Sequence, residues 1–488
     1  MQNERLFLLS NTRLIFANYI VLQAIILLCS PVSLAADYQL QSSIAVVTEN
    51  DDNVRLQANI NDIESLQGTS AIVKANISRN EANRSLSINN RLASRQYDLN
   101  RYNSVDVSTT TNYQRSFERG SLSLNLSASD ESIRSLENQL ENDDSTEQRA
   151  TKATSYSLAI SGQHQLTERQ FLQNQFSMQK RDYESQNRNS YDYFSNSLLW
   201  VYSINSVLSA QVNLSLSSFR PEETDGIEVA FIESARNDYG LNDFTILNRL
   251  QYCIGELDPL DPFNPETALS LTAPIPNFQP PYNGIACFNG RSFSLKQDTV
   301  NFQLGLQYQW TENSSLNLLL GRTRSETKRD VFDPTNAILV TGELTGNYVQ
   351  ETEQYNLSYS ADIDYRHSAR ITSKLSASQS QEQTAYGVSS YTRRLILSNN
   401  WRVKEFNRLN INISHVERNQ SFTSTNQTLS DSTFSKLSIS YMQQWTRYFS
   451  SNFSYIYGEI ENNAPKPGKR NRFMLTLTWQ PKVFSWSK

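Results

Sequence analysis

The stretch "SVLSAQVNLSLSSF" (206–219) alternates with no charge on either side: Leu208, Ala210, Val212, Leu214 and Leu216 are apolar, and Ser209, Gln211, Asn213, Ser215 and Ser217 are polar. Successive side chains of a strand project to opposite faces, so this ribbon meets an apolar medium on one side and water on the other. What a chain of such ribbons folds into depends on how often the pattern recurs.

It recurs along the whole chain. "SLSLNLSAS" (121–129), "VNFQLGLQYQW" (300–310), "YNLSYSADIDY" (355–365) and "RFMLTLTWQ" (472–480) repeat it closely. The runs 69–78, 83–92, 104–115, 152–164, 171–181, 368–379, 391–403, 408–415, 434–442 and 449–457 follow it with interruptions. Stretches 38–47, 190–203 and 313–324 follow it less well, with Leu199 and Leu319 breaking the alternation. The reading gives about 18 strands, within a range of about 16 to 18, each near the roughly 10 residues that a tilted membrane strand needs.

Link lengths give a second, independent signal. Short links fall at 80–83, 117–120, 166–170, 203–206, 311–314, 367–370, 404–408 and 446–450, and between them lie longer polar links that include 49–68, 130–151, 219–296, 325–349 and 418–431. Tight turns at one end and long loops at the other are the asymmetry of outer-membrane barrels, whose short turns are periplasmic. Phe117, Phe171, Trp310, Phe406, Trp445, Tyr448, Phe449 and Trp479 cluster beside the short links, where a periplasmic aromatic girdle is expected.

Composition fits the same architecture. Only 38% of residues are hydrophobic, which is little for one large soluble core, while 11% aromatic content and regular patterning are too much for disorder. A membrane barrel with a wet interior reconciles the two. The expected fold is therefore all-β, a transmembrane antiparallel β-barrel with short periplasmic turns and long extracellular loops.

Residues 1–35 read as a signal peptide: Arg5 and Arg13 precede an apolar run (14–29), and "SPVSLAAD" offers small residues for cleavage before Ala36. Leu28 before Cys29 argues against lipid attachment, which favours a small residue there. Residues 36–488 then form the barrel, in the bacterial outer membrane. Its expected partners are membrane lipid and the barrel-insertion machinery.

Parity assigns Ser209 to Ser217 to the lumen and Leu208 to Leu216 to lipid. Applied elsewhere, it lines the interior with Ser, Thr, Asn and Gln, interrupted by the pore-lining candidates Lys74, Asp106, Asp362, Asp364, Lys374, Arg394, Arg402 and Lys436. Such a mixed wall suits hydrated, weakly charged solutes such as glycans. The Pro-rich link 219–296 is read as one large extracellular loop, and Cys253 and Cys287 within it are candidates for a disulfide, as expected of an exported chain.

No catalytic, cofactor or metal site is expected. Ser414 and His415 in "INISH" (411–415) project to opposite faces of one strand and cannot pair as nucleophile and base. The Cys-containing loop lacks the His ligands of a zinc site. A formal charge of −5 supplies no basic footprint for nucleic acid.

At "TENDDNVRL" (48–56), after the first strand "YQLQSSIAVV", the chain resembles outer-membrane β-barrel proteins associated with PEP-CTERM/exosortase and exopolysaccharide gene clusters. "SASDESIRS" (127–135) and "LTLTWQP" (475–481) are similar too, so the resemblance spans most of 37–481. It implies a place in a polysaccharide-linked system, with polysaccharide and periplasmic export components as partners, and it carries over no catalytic residue. Two functions follow as expectations: a channel for exopolysaccharide or related saccharides, or a structural or adhesive barrel whose loops bind surface polymer. One departure concerns the end, because "PKVFSWSK" continues past Trp479, where a barrel commonly finishes on an aromatic residue; Phe484 and Trp486 are the stand-ins.

Overall fold

The protein is described by a computed structural model. It describes residues 36–54, 56, 63–132, 152–184, 190–221, 295–332, 338–340, 343–345, 347–383, 389–421, 428–461 and 467–487. The signal-peptide reading of 1–35, most of the 219–296 loop and the Cys253–Cys287 pairing lie outside the described residues.

The strands are β1 (Asp37–Asp51), β2 (Leu66–Asn80), β3 (Arg84–Tyr97), β4 (Ser104–Phe117), β5 (Gly120–Ser132) and β6 (Lys152–Thr167). Next come β7 (Gln170–Tyr183), β8 (Tyr191–Ser203), β9 (Leu208–Pro221), β10 (Leu295–Thr311) and β11 (Ser314–Phe332). A small separate hairpin follows, β12 (Ile338–Val340) with β13 (Glu343–Thr345). The sheet resumes with β14 (Asn347–Ser368), β15 (Ile371–Gln383), β16 (Ser389–Lys404) and β17 (Asn407–Ser421). It ends with β18 (Thr428–Gln444), β19 (Phe449–Glu461), β20 (Gly468–Trp479) and β21 (Phe484–Ser487).

Each strand pairs antiparallel with its neighbours, and β1 pairs with both β2 and β20, which closes the sheet into a barrel. The sheet has 19 segments, but β20 and β21 both run along β1, so they form a single stave and the barrel has eighteen. All eighteen runs read from alternation are strands. Among the described residues no helix is long and apolar enough to cross a membrane, and the crossing is made by strands.

Every short link is a tight turn, and the start of β1 at Asp37 and the end of β21 at Ser487 lie at the same end of the barrel as those turns. Several turns are closed by a hydroxyl that accepts from the backbone N–H two residues on: Thr167 from Arg169 at 3.3 Å, Thr311 from Asn313 at 3.2 Å, Ser368 from Arg370 at 3.2 Å and Thr446 from Tyr448 at 3.2 Å. The glycine of "FERG" is required by crowding: a Cβ on Gly120 would sit 2.2 Å from the Gln163 carbonyl oxygen. At the other end the strands run further than expected. β11 reaches Phe332 and β14 starts at Asn347, so the 325–349 link is largely strand; 418–431 likewise shrinks to 422–427. Beyond the membrane neither face has to be apolar, so alternation fades although the ladder continues.

The outer face is an apolar belt. Leu214, Leu216, Leu304, Leu320, Leu357 and Leu475 are all exposed there, an arrangement that water would oppose and lipid satisfies. Phe117, Trp310, Phe406, Trp445, Phe449 and Trp479 are exposed beside the short turns and form the girdle. Phe171 is a correction: it pairs with Val201 and Gln165 and shares the parity of the inward Gln173, so it belongs to the inner wall. Leu199 and Leu319, which break the alternation, also point inward, between the outward Leu198 and Leu320 of their own strands. A closed barrel with polar interior, apolar belt and aromatic rim places the protein in the outer membrane, with its tight turns and the seam between Asp37 and Ser487 on the periplasmic side.

The last stave has a built irregularity. Ile44 pairs with Trp479 and Leu40 with Phe484, so residues 41–43 of β1 stand opposite 480–483, one residue more. Pro481, with no N–H to give the ladder, lies in this bulge. The extra residue reverses parity, so Phe473, Leu475, Leu477 and Trp479 face lipid and so do Phe484 and Trp486. Trp486 stacks on Tyr38 across the seam, with ring centroids 5.3 Å apart and planes within 7°, and Arg79 covers Tyr38 at 5.7 Å.

Candidate functional site

The inner wall divides into an external half that is dry and a periplasmic half that is wet. In the external half, Asp51, Asp106, Ser325 and Thr392 are fully buried, and Glu49, Glu131, Arg418 and Arg472 nearly so. In the periplasmic half, Gln39, Gln41, Gln307, Gln309, Asp364, Arg366, Arg402, Arg408 and Asn410 are exposed.

Charges in the dry half are paired. Arg472 of β20 holds Glu49 of β1 at 2.9 Å, and Arg470 holds Asp51 at 2.7 Å. The Tyr97 hydroxyl donates to Glu49 at 3.2 Å. Asp52 accepts from the backbone N–H of Asn471 at 2.6 Å and from its side-chain amide at 2.7 Å, while the Asn53 amide donates to the Lys469 carbonyl at 2.8 Å. The "TENDDN" segment therefore clasps the first strand to the last. The network continues around the wall, where Arg91 meets Glu131 at 2.6 Å and Arg95 is ion-paired with Asp106, which also accepts from the Ser132 N–H at 2.9 Å. Beside it Leu66, Tyr97 and Tyr102 pack with Val54 and Leu99. Burial forces this pairing, because an isolated ion in such a place would carry its full desolvation cost.

The wet half has two sectors. From β4 to β11 its strands present Ser, Thr, Asn and Gln with no ionisable side chain, and some of these bridge strands: Ser123 to Ser161 at 2.6 Å, Ser177 to Ser195 at 2.6 Å and Asn213 to Gln303 at 3.1 Å. Strands β14 to β17 carry the charge. Asp362 accepts from the Ser376 hydroxyl at 2.6 Å and lies 3.5 Å from the Lys374 ammonium, and Asp364 is in register with Lys374. A recess of about 320 Å³ opens here, bordered by Glu312, Asp364, Arg366, Thr372, Lys374 and Asn400.

All eight pore-lining candidates lie on inward-facing pleat positions. They do not share one environment. Asp106 is buried and bound to Arg95, so it is a structural charge of the dry half and not part of a wet wall. Lys74, Asp364, Lys374 and Arg402 are exposed, whereas Arg394 and Lys436 are half-buried and engaged with other groups. Asp362, Asp364 and Lys374 come together on β14 and β15. Sequence patterning does not single out Glu49, Asp51 and Arg470, which fall outside the runs with alternation, nor Arg472, Arg366 and Arg408, which parity with Thr476, Asp364 and Asn410 places on the inner wall.

Ser414 is buried on the inner wall, and His415 lies on the other face, 2.9 Å from the Ser435 hydroxyl. Among the described residues no group of three or more His, Cys, Asp or Glu could hold a metal ion.

No protein-family model matches the chain, and no curated protein does. Among solved structures it is similar to the ferric-catecholate import receptor Fiu from E. coli K12 in its open form, with a TM-score of 0.42 and 10% identity over 90% of this chain and 81% of that one. It is similar to the siderophore receptor PiuA from Acinetobacter baumannii, with a TM-score of 0.43 and 9% identity over 91% and 82%. A third is OpdQ from Pseudomonas aeruginosa, with a TM-score of 0.41 and 10% identity over 91% and 98%.

Proposed function

We propose that this outer-membrane barrel is a channel for hydrated polar solutes, saccharides above all, and that its cargo is exopolysaccharide or a related glycan. The observation that carries the reading is the uncharged sector of the wet half, where exposed hydroxyls and amides such as Gln163, Gln175, Gln307 and Gln309 line the wall from β4 to β11. Amide and hydroxyl groups exchange hydrogen bonds with sugar hydroxyls on nearly the terms that water offers, so a saccharide is neither trapped nor repelled. The inward Leu199 and Leu319 add an apolar surface suited to the C–H faces of sugar rings. An eighteen-stranded barrel is wide enough for an aqueous path. The glycan assignment also draws on the resemblance carried by "TENDDNVRL".

The burial of the external half supports the second reading, a structural or adhesive barrel without transport. Planar-bilayer recording separates the two. The purified protein is expected to conduct ions, and maltohexaose added to one side to reduce the current in proportion to its concentration. A silent bilayer overturns the channel and favours the adhesive barrel, while conduction that maltohexaose leaves untouched overturns the saccharide assignment.

A further inference from the structure

Arg402 and Arg408 stand directly opposite one another on β16 and β17, both on the inward face and both exposed. Directly opposed side chains on neighbouring strands have Cβ atoms roughly 5 Å apart, and like charges there are unfavourable. Elsewhere in this barrel such crowding is relieved: Arg91, opposite Lys74, is held by Glu131, and the opposed Glu326 and Glu353 have Arg324 and Lys328 beside them. Neither Arg402 nor Arg408 has an ion pair or side-chain hydrogen bond among the described residues. Arg366 is in the same position: its backbone N–H donates to the Asn313 carbonyl, and its guanidinium has no partner among the described residues. Asp362 is occupied with Lys374 and Ser376, and Asp364 is in register with Lys374; Glu312, in the turn between β10 and β11, borders the recess together with Asp364 and Arg366, and Glu405 lies in the turn between β16 and β17.

We infer that Arg402 and Arg408, with Arg366 across Thr372 and Asn400, form a carboxylate-binding cleft at the periplasmic mouth, and that the saccharides this barrel takes are therefore acidic, carrying uronate-type groups. The inference rests on the saccharide reading for its substrate class, while the anion site stands on the geometry alone. A guanidinium presents a planar fork that matches the two oxygens of a carboxylate, and a single carboxylate between two opposed forks cancels their repulsion while accepting from both. Register places Arg366 opposite Thr372 and Thr372 opposite Asn400, one pleat position above Arg402, so the Thr372 hydroxyl and the Asn400 amide lie next to the anion, with Glu312, Asp364 and Lys374 on the far side of the adjoining recess. Its volume of about 320 Å³ is within the range of small-ligand clefts, about 300–1,000 Å³. The acidic unit would be held at the Arg pair and the neutral units laid along the amide-lined sector.

The test is equilibrium binding to the folded barrel in detergent, with hexagalacturonate and maltohexaose as probes and heat-modifiable gel migration as the check on folding. Hexagalacturonate is expected to bind at least tenfold more tightly than maltohexaose. Arg402→Gln with Arg408→Gln should abolish that preference, bringing hexagalacturonate down to the affinity of maltohexaose. A charge-matched control, Arg119→Gln with Arg169→Gln in two periplasmic turns, should retain it. Equal binding of the two probes to the unaltered protein, or a preference that survives loss of both arginines, overturns the site; so does a control that loses the preference equally, since that shows only net charge. Hexagalacturonate binding alongside a silent bilayer would sink the channel and leave the site standing.

Discussion

The two halves of the inner wall use the same residue types in opposite ways. Arginines of the external half, Arg91, Arg95, Arg470 and Arg472, each hold a carboxylate, while Arg366, Arg402 and Arg408 of the periplasmic half hold none among the described residues. Water accounts for the difference. A buried charge must be neutralised by the fold, so its partner is fixed when the barrel forms; a solvated charge can wait for a ligand. Charge on a barrel wall thus signals function mainly where the wall is wet, and structure where it is dry.

The largest effect should come from breaking a pair in the dry half. Arg472→Ala leaves Glu49 short of its counter-ion in a buried place, and a loss of about 3–5 kcal/mol in unfolding free energy is expected. Arg408→Ala in the wet half should cost no more than about 0.5 kcal/mol. Denaturant titration followed by heat-modifiable migration measures both, and similar losses would erase the distinction between the halves.

A second contrast tests inside against outside. Leu214→Arg puts a charge on the lipid face and should cost about 2–4 kcal/mol, whereas Ser215→Arg, one residue along on the inner wall, should cost little. Equal folding yields into lipid vesicles would show that the pleat assignment is wrong. A smaller loss sharpens the seam: Trp486→Ala removes the stack on Tyr38 and should lower stability by about 1 kcal/mol. A shift as large as that of Arg472→Ala would mean that the lower seam, and not the external clasp, holds the barrel shut.

How much of this was legible depended on where the alternation had physical cause. Within the lipid belt one face must be apolar, so the strands were readable, and parity located Asp362, Asp364, Lys374 and Arg402 on the inner wall. Above the belt neither face is constrained, which hid the continuation of β11 to Phe332 and the start of β14 at Asn347. Next to a turn the apolar side is not fixed by neighbours, so Phe171 was assigned to the girdle although it faces inward. The clasp was illegible for a different reason. Glu49 and Arg472 belong to opposite ends of the chain, and only closure reveals that they meet.

That closure also sets the timing of assembly. Along the chain, each stave is laid beside the one made just before it, so the sheet grows by addition at one edge. The exception is the pairing of β1 with β20 and β21, from Asp51 with Arg472 down to Asp37 with Ser487, which joins the first stave to the last segments of the barrel. Until those segments arrive, β1 presents an open row of donors and acceptors to any other strand it meets. Its non-local pairing is the slow step that topology predicts, and the chain must be shielded throughout the wait.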